Sequence, residues 1–259
     1  MITAVAFSRD RACQLDLLLA SLERNGRMLF NPVYVLYRAT TAAHDDAYLL
    51  CQERFPGVVF VPDGDETPAD LLSDALLATF FTDDSVLYRP LPSRPLFDLD
   101  VLCFSLRLGW NTRWCYPLGR EQRSPGFVKT GGMLRWEWKD ADGDFGYPAS
   151  VDGHVFRARN LRRALMGCPG DANPNRLEEH LVEAFRDDRK TMMASYDHSC
   201  LVGVPANVVS STHRNRHDVH GQHPDALCAA YLSGRRISLD DLDFADVRGA
   251  HQDIDLVLS

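Results

Sequence analysis

Ala75-Leu76-Leu77-Ala78-Thr79-Phe80-Phe81 runs directly into Thr82-Asp83-Asp84-Ser85. An apolar run that stops at two adjacent acids reads as a buried strand ending at the rim of a sheet. In open α/β proteins that rim is where ligands bind. Neighbouring carboxylates repel unless a cation lies near them. A divalent metal carrying a phosphate is a common cation in such a place. The bland alternative is a polar turn, since Asp-Asp-Ser is good turn chemistry.

Upstream of this segment, strands alternate with helices. Thr3 to Phe7 reads as a short apolar strand, and Ala12 to Glu23 as an amphipathic helix with Leu15, Leu18, Leu19 and Leu22 on one side. Pro32 to Tyr37 and Val58 to Val61 read as strands, with a helix from Ala42 to Phe55 between them. Thr67-Pro68-Ala69-Asp70 has the pattern of a helix start, which predicts a third helix reaching about Ala75. This alternation predicts a mainly parallel sheet with right-handed crossovers.

The rhythm changes after residue 100. Val101 to Leu108 reads as a strand, followed by a long Gly-, Pro- and Trp-containing stretch up to Pro148. Within it, Leu134-Arg135-Trp136-Glu137-Trp138 alternates like an edge or ligand-facing strand. Val151 to Arg157 reads as a strand, and Asn160 to Met166 and Arg176 to Phe185 as helices. The tail after Ser195 reads as irregular, with one helix near Asp225 to Ser233. No repeat or low-complexity linker divides the 259 residues, so a single domain is expected.

Bulk properties narrow the function. The net charge of −8 argues against a general nucleic-acid binder, which needs a basic face. Among 28 basic residues only Lys129, Lys139 and Lys190 are lysine. Arginine suits bidentate recognition of phosphate, although genomic base composition explains the bias equally well. Seven scattered Cys without CxxC pairs fit neither a disulfide framework nor a zinc site. The N-terminus reads as a strand rather than a signal peptide. No apolar run approaches the ~18–20 residues of a membrane span. A cytoplasmic protein with reduced thiols is the expectation.

Several candidates for chemistry stand out. Phe7-Ser8-Arg9-Asp10-Arg11 links the first strand to the first helix, where backbone N–H groups and Arg9 and Arg11 can meet an anion. It lacks the glycines of a dinucleotide loop or a P-loop. Asp63 ends the third strand at the same sheet edge. Trp136 and Trp138 are either stacking platforms or core. Glu178 and Glu179, near a helix start, are candidate general bases. His213, His217, His220 and His251 belong to a His-rich tail whose imidazoles can complete a metal shell. No GxSxG elbow supports serine catalysis.

The order of these motifs resembles the nucleotide-sugar-dependent glycosyltransferases of the GT-A fold, closest in style to the inverting family-2 type. Asp83-Asp84-Ser85 occupies the place of the DxD motif. Asp152-Gly153-His154-Val155-Phe156-Arg157 resembles the acceptor-side segment, and Glu178 falls where the catalytic base lies. The resemblance spans about residues 3–185. It implies a GT-A-like, Rossmann-like α/β domain with a nucleotide-sugar half over 1–100 and an acceptor half with a tail over 101–259. It places Phe7, Ser8, Arg9, Arg11, Asp63, Asp83 and Asp84 along the donor. Trp136, Trp138, Asp152, Gly153 and His154 fall near sugar or acceptor. Mn2+ or Mg2+ is implied, held by Asp84 with Ser85, His213 or His251. Ser85 departs from the motif, and Glu178-Glu179 replaces Glu-Asp, so both acids stay open as the base. The activity implied is sugar transfer from a nucleoside-diphosphate sugar to an acceptor hydroxyl. The alternatives are a sugar-phosphate nucleotidyltransferase and a catalytically inactive sugar-binding protein on the same scaffold.

Overall fold

The structure, a computed structural model, describes residues 1–95, 98–168, 173–207 and 222–259. The first half follows the sequence pattern closely. It comprises β1 (Ile2–Arg9), α1 (Ala12–Asn25), β2 (Phe30–Arg38), α2 (Ala42–Arg54), β3 (Val59–Pro62), β4 (Leu77–Thr82) and β5 (Ser85–Leu87). The second half comprises β6 (Val101–Ser105), β7 (Trp114–Cys115), β8 (Arg120–Glu121), β9 (Val128–Thr130) and β10 (Met133–Glu137). These are followed by β11 (His154–Arg157), α3 (Ala158–Ala164), α4 (Pro174–Arg186), β12 (Met192–Tyr196), β13 (Leu201–Gly203) and α5 (Pro224–Leu232).

Nine strands form one sheet in the order β3-β2-β1-β4-β11-β6-β12-β10-β9. Strands β3, β2, β1 and β4 are parallel. The antiparallel β11 is inserted between β4 and β6, and β10 is the other reversed strand. The sheet is therefore mainly parallel, as the alternation of strands and helices predicts.

Both sheet faces are covered. Ala4 and Ala6 of β1 pack with α1, α2 and α5 on one side, whereas Val5 and Phe7 pack with α3 and α4 on the other. Burial on both faces explains why β1 is a continuous apolar run rather than an alternating one. In α1 the four leucines that share a face by spacing are all buried. Thr41 caps α2 by accepting from the His44 N–H.

Three expectations are corrected. The third helix is a single 3-10 turn, Asp70–Leu72. Ala69, without a side-chain bond, holds its cap position; two residues earlier the Thr67 hydroxyl accepts from the Asp70 N–H at 3.3 Å, and the Asp70 carboxylate accepts from the Thr67 N–H at 3.0 Å. Beyond the turn, Ser73 and Asp74 favour turns over helix. The first strand of the second half ends at Ser105: the Leu106 N–H still donates to the Gly153 carbonyl, but the Leu106 carbonyl turns to the Cys200 and Leu201 N–H groups. The tail after Ser195 is also less irregular than expected, because Leu201–Gly203 pairs with β5. Just before it, Met192–Tyr196 is a strand between β6 and β10 that the sequence did not mark.

Trp136 and Trp138 are not stacking platforms. Trp136, in β10, and Trp138, just past it, both lie in the core, and β10 is not the edge strand; β9 is. Trp136 is fully buried, and its Nε1–H donates to the Phe145 carbonyl at 2.9 Å. The rings of Phe127 and Phe145 meet it edge to face. The Trp138 Nε1–H donates to the Lys190 carbonyl at 2.9 Å. Each indole thus has its apolar body covered and its one donor satisfied, which is what a buried Trp requires.

Candidate active site

Strand β4 delivers Thr82, Asp83 and Asp84 to the C-terminal edge of the sheet, and the two acids have different surroundings. The Asp83 carboxylate is buried. It accepts from the Ser8 hydroxyl at 2.9 Å, the Arg9 N–H at 3.3 Å and the Arg11 guanidinium at 2.9 Å. Arg11 is also buried and donates to the Asn207 carbonyl. Burial raises the Asp83 carboxyl above its ordinary range, and Arg11 draws it back. Ser8 is held further by the Tyr48 hydroxyl at 2.7 Å. Phe7 packs on Phe80 in the core, with ring centres 5.5 Å apart. Of the residues expected along a donor, Phe7, Ser8, Arg11 and Asp83 therefore form an internal brace. Arg9, beside Asp10, and Asp63, beside Arg38, keep partial exposure at the sheet edge.

Asp84 faces a cavity of about 540 Å3. Thr82, Arg107, Asp152, Glu178 and His251 also line it. Asp152 precedes β11, and three groups grip its carboxylate. The Thr82 hydroxyl lies 2.5 Å from Oδ1, Arg107 Nη1 lies 3.2 Å from Oδ2, and His251 Nε2 lies 3.2 Å from Oδ2. Burial by itself would raise the Asp152 carboxyl. The His251 bond and the Arg107 charge outweigh it and hold the group well below the usual carboxylate range. The other Arg107 nitrogen, Nη2, lies 3.1 Å from His251 Nδ1. Arginine only donates, so Nδ1 accepts, and the bonding network assigns His251 the Nε2–H tautomer.

Glu178 comes from the first turns of α4. That helix starts where the Asn173 side chain accepts from the Asn175 and Arg176 N–H groups, with Pro174 at its first position. Glu178 accepts from the Val151 N–H at 2.9 Å and the Tyr147 hydroxyl at 3.3 Å. Burial, and next the Asp152 charge, push its carboxyl up to about 7. Its neighbour Glu179 is exposed and does not line the cavity. Tyr116, Pro117, Leu118 and Tyr147 make a more apolar wall.

Two glycines permit this geometry. Gly153 has φ +72°, and a Cβ there would meet Leu201 Cδ2 at 2.2 Å, so its place in the motif is a packing requirement. A Cβ on Gly203 would lie 2.2 Å from His251 Cδ2. The ring cannot retreat without leaving Asp152 and Arg107. Gly203→Ala is therefore expected to destabilise the fold by roughly 1–3 kcal/mol and to displace His251. Chemical denaturation measures the first effect, and the His251 ring resonances report the second. A variant as stable as the parent, with unshifted His251 resonances, would contradict this packing.

His154 is buried behind the site, and burial, reinforced by Arg107, lowers its pKa to about 3, so it stays neutral. Ser85 is fully buried in β5 and does not line the cavity, so it is not placed to bind a metal. His213, His217 and His220 lie outside the described residues. Arg107 is the central residue that sequence reasoning missed. Its only signal was its position just past a buried strand.

Among the described residues no three His, Cys, Asp or Glu side chains converge as a metal shell. The donor set nonetheless suits a hard cation. The Thr82 hydroxyl, with one proton, lies 2.6 Å from Asp84 Oδ1 and 2.5 Å from Asp152 Oδ1. One of these contacts lacks a proton, and a cation beside Asp84 would relieve it. Oxygen donors favour Mg2+ or Mn2+. Both His251 nitrogens are engaged within the protein, whereas Asp84, facing the cavity, could bind one directly.

No protein-family model and no curated protein sequence matches the chain. Solved structures do resemble it. S. aureus TarS 1–349 in complex with UDP aligns with 80% of this chain and 62% of its own, at 15% identity and TM-score 0.49. The mannosyltransferase PcManGT from Pyrobaculum calidifontis, in complex with GDP-Man and Mn2+, aligns with 71% of this chain and 51% of its own, at 15% identity and TM-score 0.39. A 4-diphosphocytidyl-2C-methyl-D-erythritol synthase from Anaerococcus prevotii aligns with 90% of this chain and 96% of its own, at 13% identity and TM-score 0.41. The chain spans 36–62% of the length of the TarS and PcManGT structures it matches.

Proposed function

We propose that the chain transfers a sugar from a nucleoside-diphosphate sugar to an acceptor hydroxyl, with Glu178 as the general base. One observation carries this reading. A carboxylate with its pKa raised to about 7 shares a cavity of about 540 Å3 with the acid at the end of the central strand β4. A base poised near the operating pH is what activation of a hydroxyl calls for.

In this reading residues 1–100 carry the donor half and residues 101–259 the acceptor half. Glu178, held in orientation by the Val151 N–H and the Tyr147 hydroxyl, takes the proton of the acceptor hydroxyl. The acceptor oxygen bonds to the anomeric carbon as the bond to the diphosphate breaks, inverting the configuration. Arg107 holds Asp152 and His251 in place, so the cavity floor needs no reorganisation during the step. A divalent cation held by Asp84 would supply charge for the departing diphosphate.

The test is incubation with a panel of nucleotide sugars, hydroxyl acceptors and Mn2+ or Mg2+. The expected product is a nucleoside diphosphate together with an inverted glycoside. Pyrophosphate release from a nucleoside triphosphate and a sugar phosphate, or no turnover with any donor, would refute the reading. The pH profile adds a sharper expectation. The base acts only when deprotonated, and its pKa is raised to about 7. Therefore kcat/KM should rise with pH and level off above about 7. An inflection at the ordinary glutamate value, near 4, would argue against Glu178.

A further inference from the structure

A second concave surface lies away from the cavity, between α3 and the Asp70–Leu72 turn. This cleft, of about 370 Å3, is lined by Arg159, Arg162, Arg163 and Met166 with Ala69 and Asp70. The three arginines are exposed. Among the described residues none of them makes an ion pair, and Arg162 only donates to the Ser73 carbonyl, at 3.1 Å. The one acid in the cleft is already used, because Asp70 accepts from the Thr67 N–H and hydroxyl at 3.0 and 2.6 Å. Three exposed guanidinium groups make this patch locally basic on a chain of net charge −8, which suits it to an anionic partner.

Exposed apolar side chains lie in the cleft and beside the start of α3. Met166 is 70% exposed within it. Leu76 is 80% exposed at the foot of α3, where its carbonyl accepts from the Ala158 N–H. Leu99, 82% exposed, follows Asp98, whose carbonyl accepts both terminal nitrogens of Arg157, the residue just before α3. These are three of the four most exposed large apolar side chains among the described residues. A soluble anion would satisfy the guanidinium groups but leave Leu76, Leu99 and Met166 in water. A bilayer satisfies both, with headgroup phosphates against arginine and acyl chains against leucine and methionine.

We propose that this face docks on an anionic lipid bilayer. Leu76 immediately precedes β4 and Asp84 follows it shortly after, so the docking face and the cavity lie at opposite ends of that strand, roughly 20 Å apart at the usual rise per residue. Docking is thus independent of the proposed reaction, and its failure would leave that reading intact. No described helix is long and apolar enough to cross a membrane, so attachment would be peripheral.

The experiment is co-sedimentation of the full chain with phosphatidylcholine vesicles, with and without phosphatidylglycerol. Binding is expected only to the anionic vesicles, and it should weaken with added salt. At ~1 kcal/mol for each arginine near a charged surface, Arg159→Gln/Arg162→Gln/Arg163→Gln should lose on the order of a hundredfold in affinity. Leu76→Ser/Leu99→Ser/Met166→Ser keeps every charge and should also bind more weakly. Circular dichroism confirms that both variants fold, and each stands as a test if the other does not. Equal binding to neutral and anionic vesicles, or none to either, would overturn the proposal. Anionic binding that survives loss of the apolar side chains unchanged would overturn it too, marking the cleft as a site for a soluble anion.

Discussion

Replacing Glu178 with Gln is expected to lower kcat by roughly 10²–10⁴-fold while donor binding stays close to that of the parent. Glutamine has the shape of the parent residue. Its carbonyl can still accept from the Val151 N–H or the Tyr147 hydroxyl, the two contacts that orient Glu178. What disappears is the ability to take a proton. A loss confined to kcat would identify a group that acts on the reacting atoms rather than one that shapes the pocket. Glu179→Gln is the matched control, because that side chain is exposed and absent from the cavity wall. Full turnover in Glu178→Gln with loss in Glu179→Gln would move the base to the neighbouring residue. Full turnover in both would remove the helix α4 acids from the mechanism.

The second large effect is on stability. Arg11→Leu should cost roughly 3–5 kcal/mol, because it leaves the Asp83 carboxylate buried without its cation. At about 2–4 °C per kcal/mol for a chain of this size class, the midpoint of thermal unfolding should fall on the order of 10 °C. Asp83→Asn removes the opposite partner and should also destabilise, though less, because the buried Arg11 then keeps only the Asp84 carboxylate, 3.8 Å away. The double variant Arg11→Leu/Asp83→Asn should recover part of the loss, since no isolated charge is left behind. Urea denaturation of the four proteins measures the coupling between the two residues. If Arg11→Leu falls within about 1 kcal/mol of the parent, the brace is not structural, and Asp83 returns as a candidate donor ligand.

The Asp83 result shows what the sequence could and could not convey. The strand ending in two acids was legible, as was its burial within the sheet, with the acids at its C-terminal end. Leu15, Leu18, Leu19 and Leu22 announced α1 by spacing, and the run from Ile2 to Phe7 announced a strand buried on both faces. That Asp83 turns inward to Arg11 while Asp84 turns to the cavity was not legible, because adjacent residues differ only in the side of the chain they leave from. Trp136 and Trp138 misled for a related reason. Alternation shows that two side chains share a face, but not whether that face is wet. Met192–Tyr196 carries few strong strand formers, and its place between β6 and β10 is set by partners distant in sequence. Arg107 has no local motif at all. Its role exists only once β6, the Ser150–Asp152 turn and the Gly249–His251 segment are side by side.

The contacts that hold Asp152 reach far along the chain: 70 residues back to Thr82 and 99 residues forward to His251. No local segment contains them, and closing loops of that length is entropically unfavourable until the intervening strands have paired. The pocket is therefore expected to form only after those strands have paired. A partly assembled chain that buries its leucines and keeps its helices still has nothing with which to grip Asp152. Catalytic competence would then report on completion of the whole fold, and a preparation with native helix content and no activity would be one in which the two ends of this long circuit had not met.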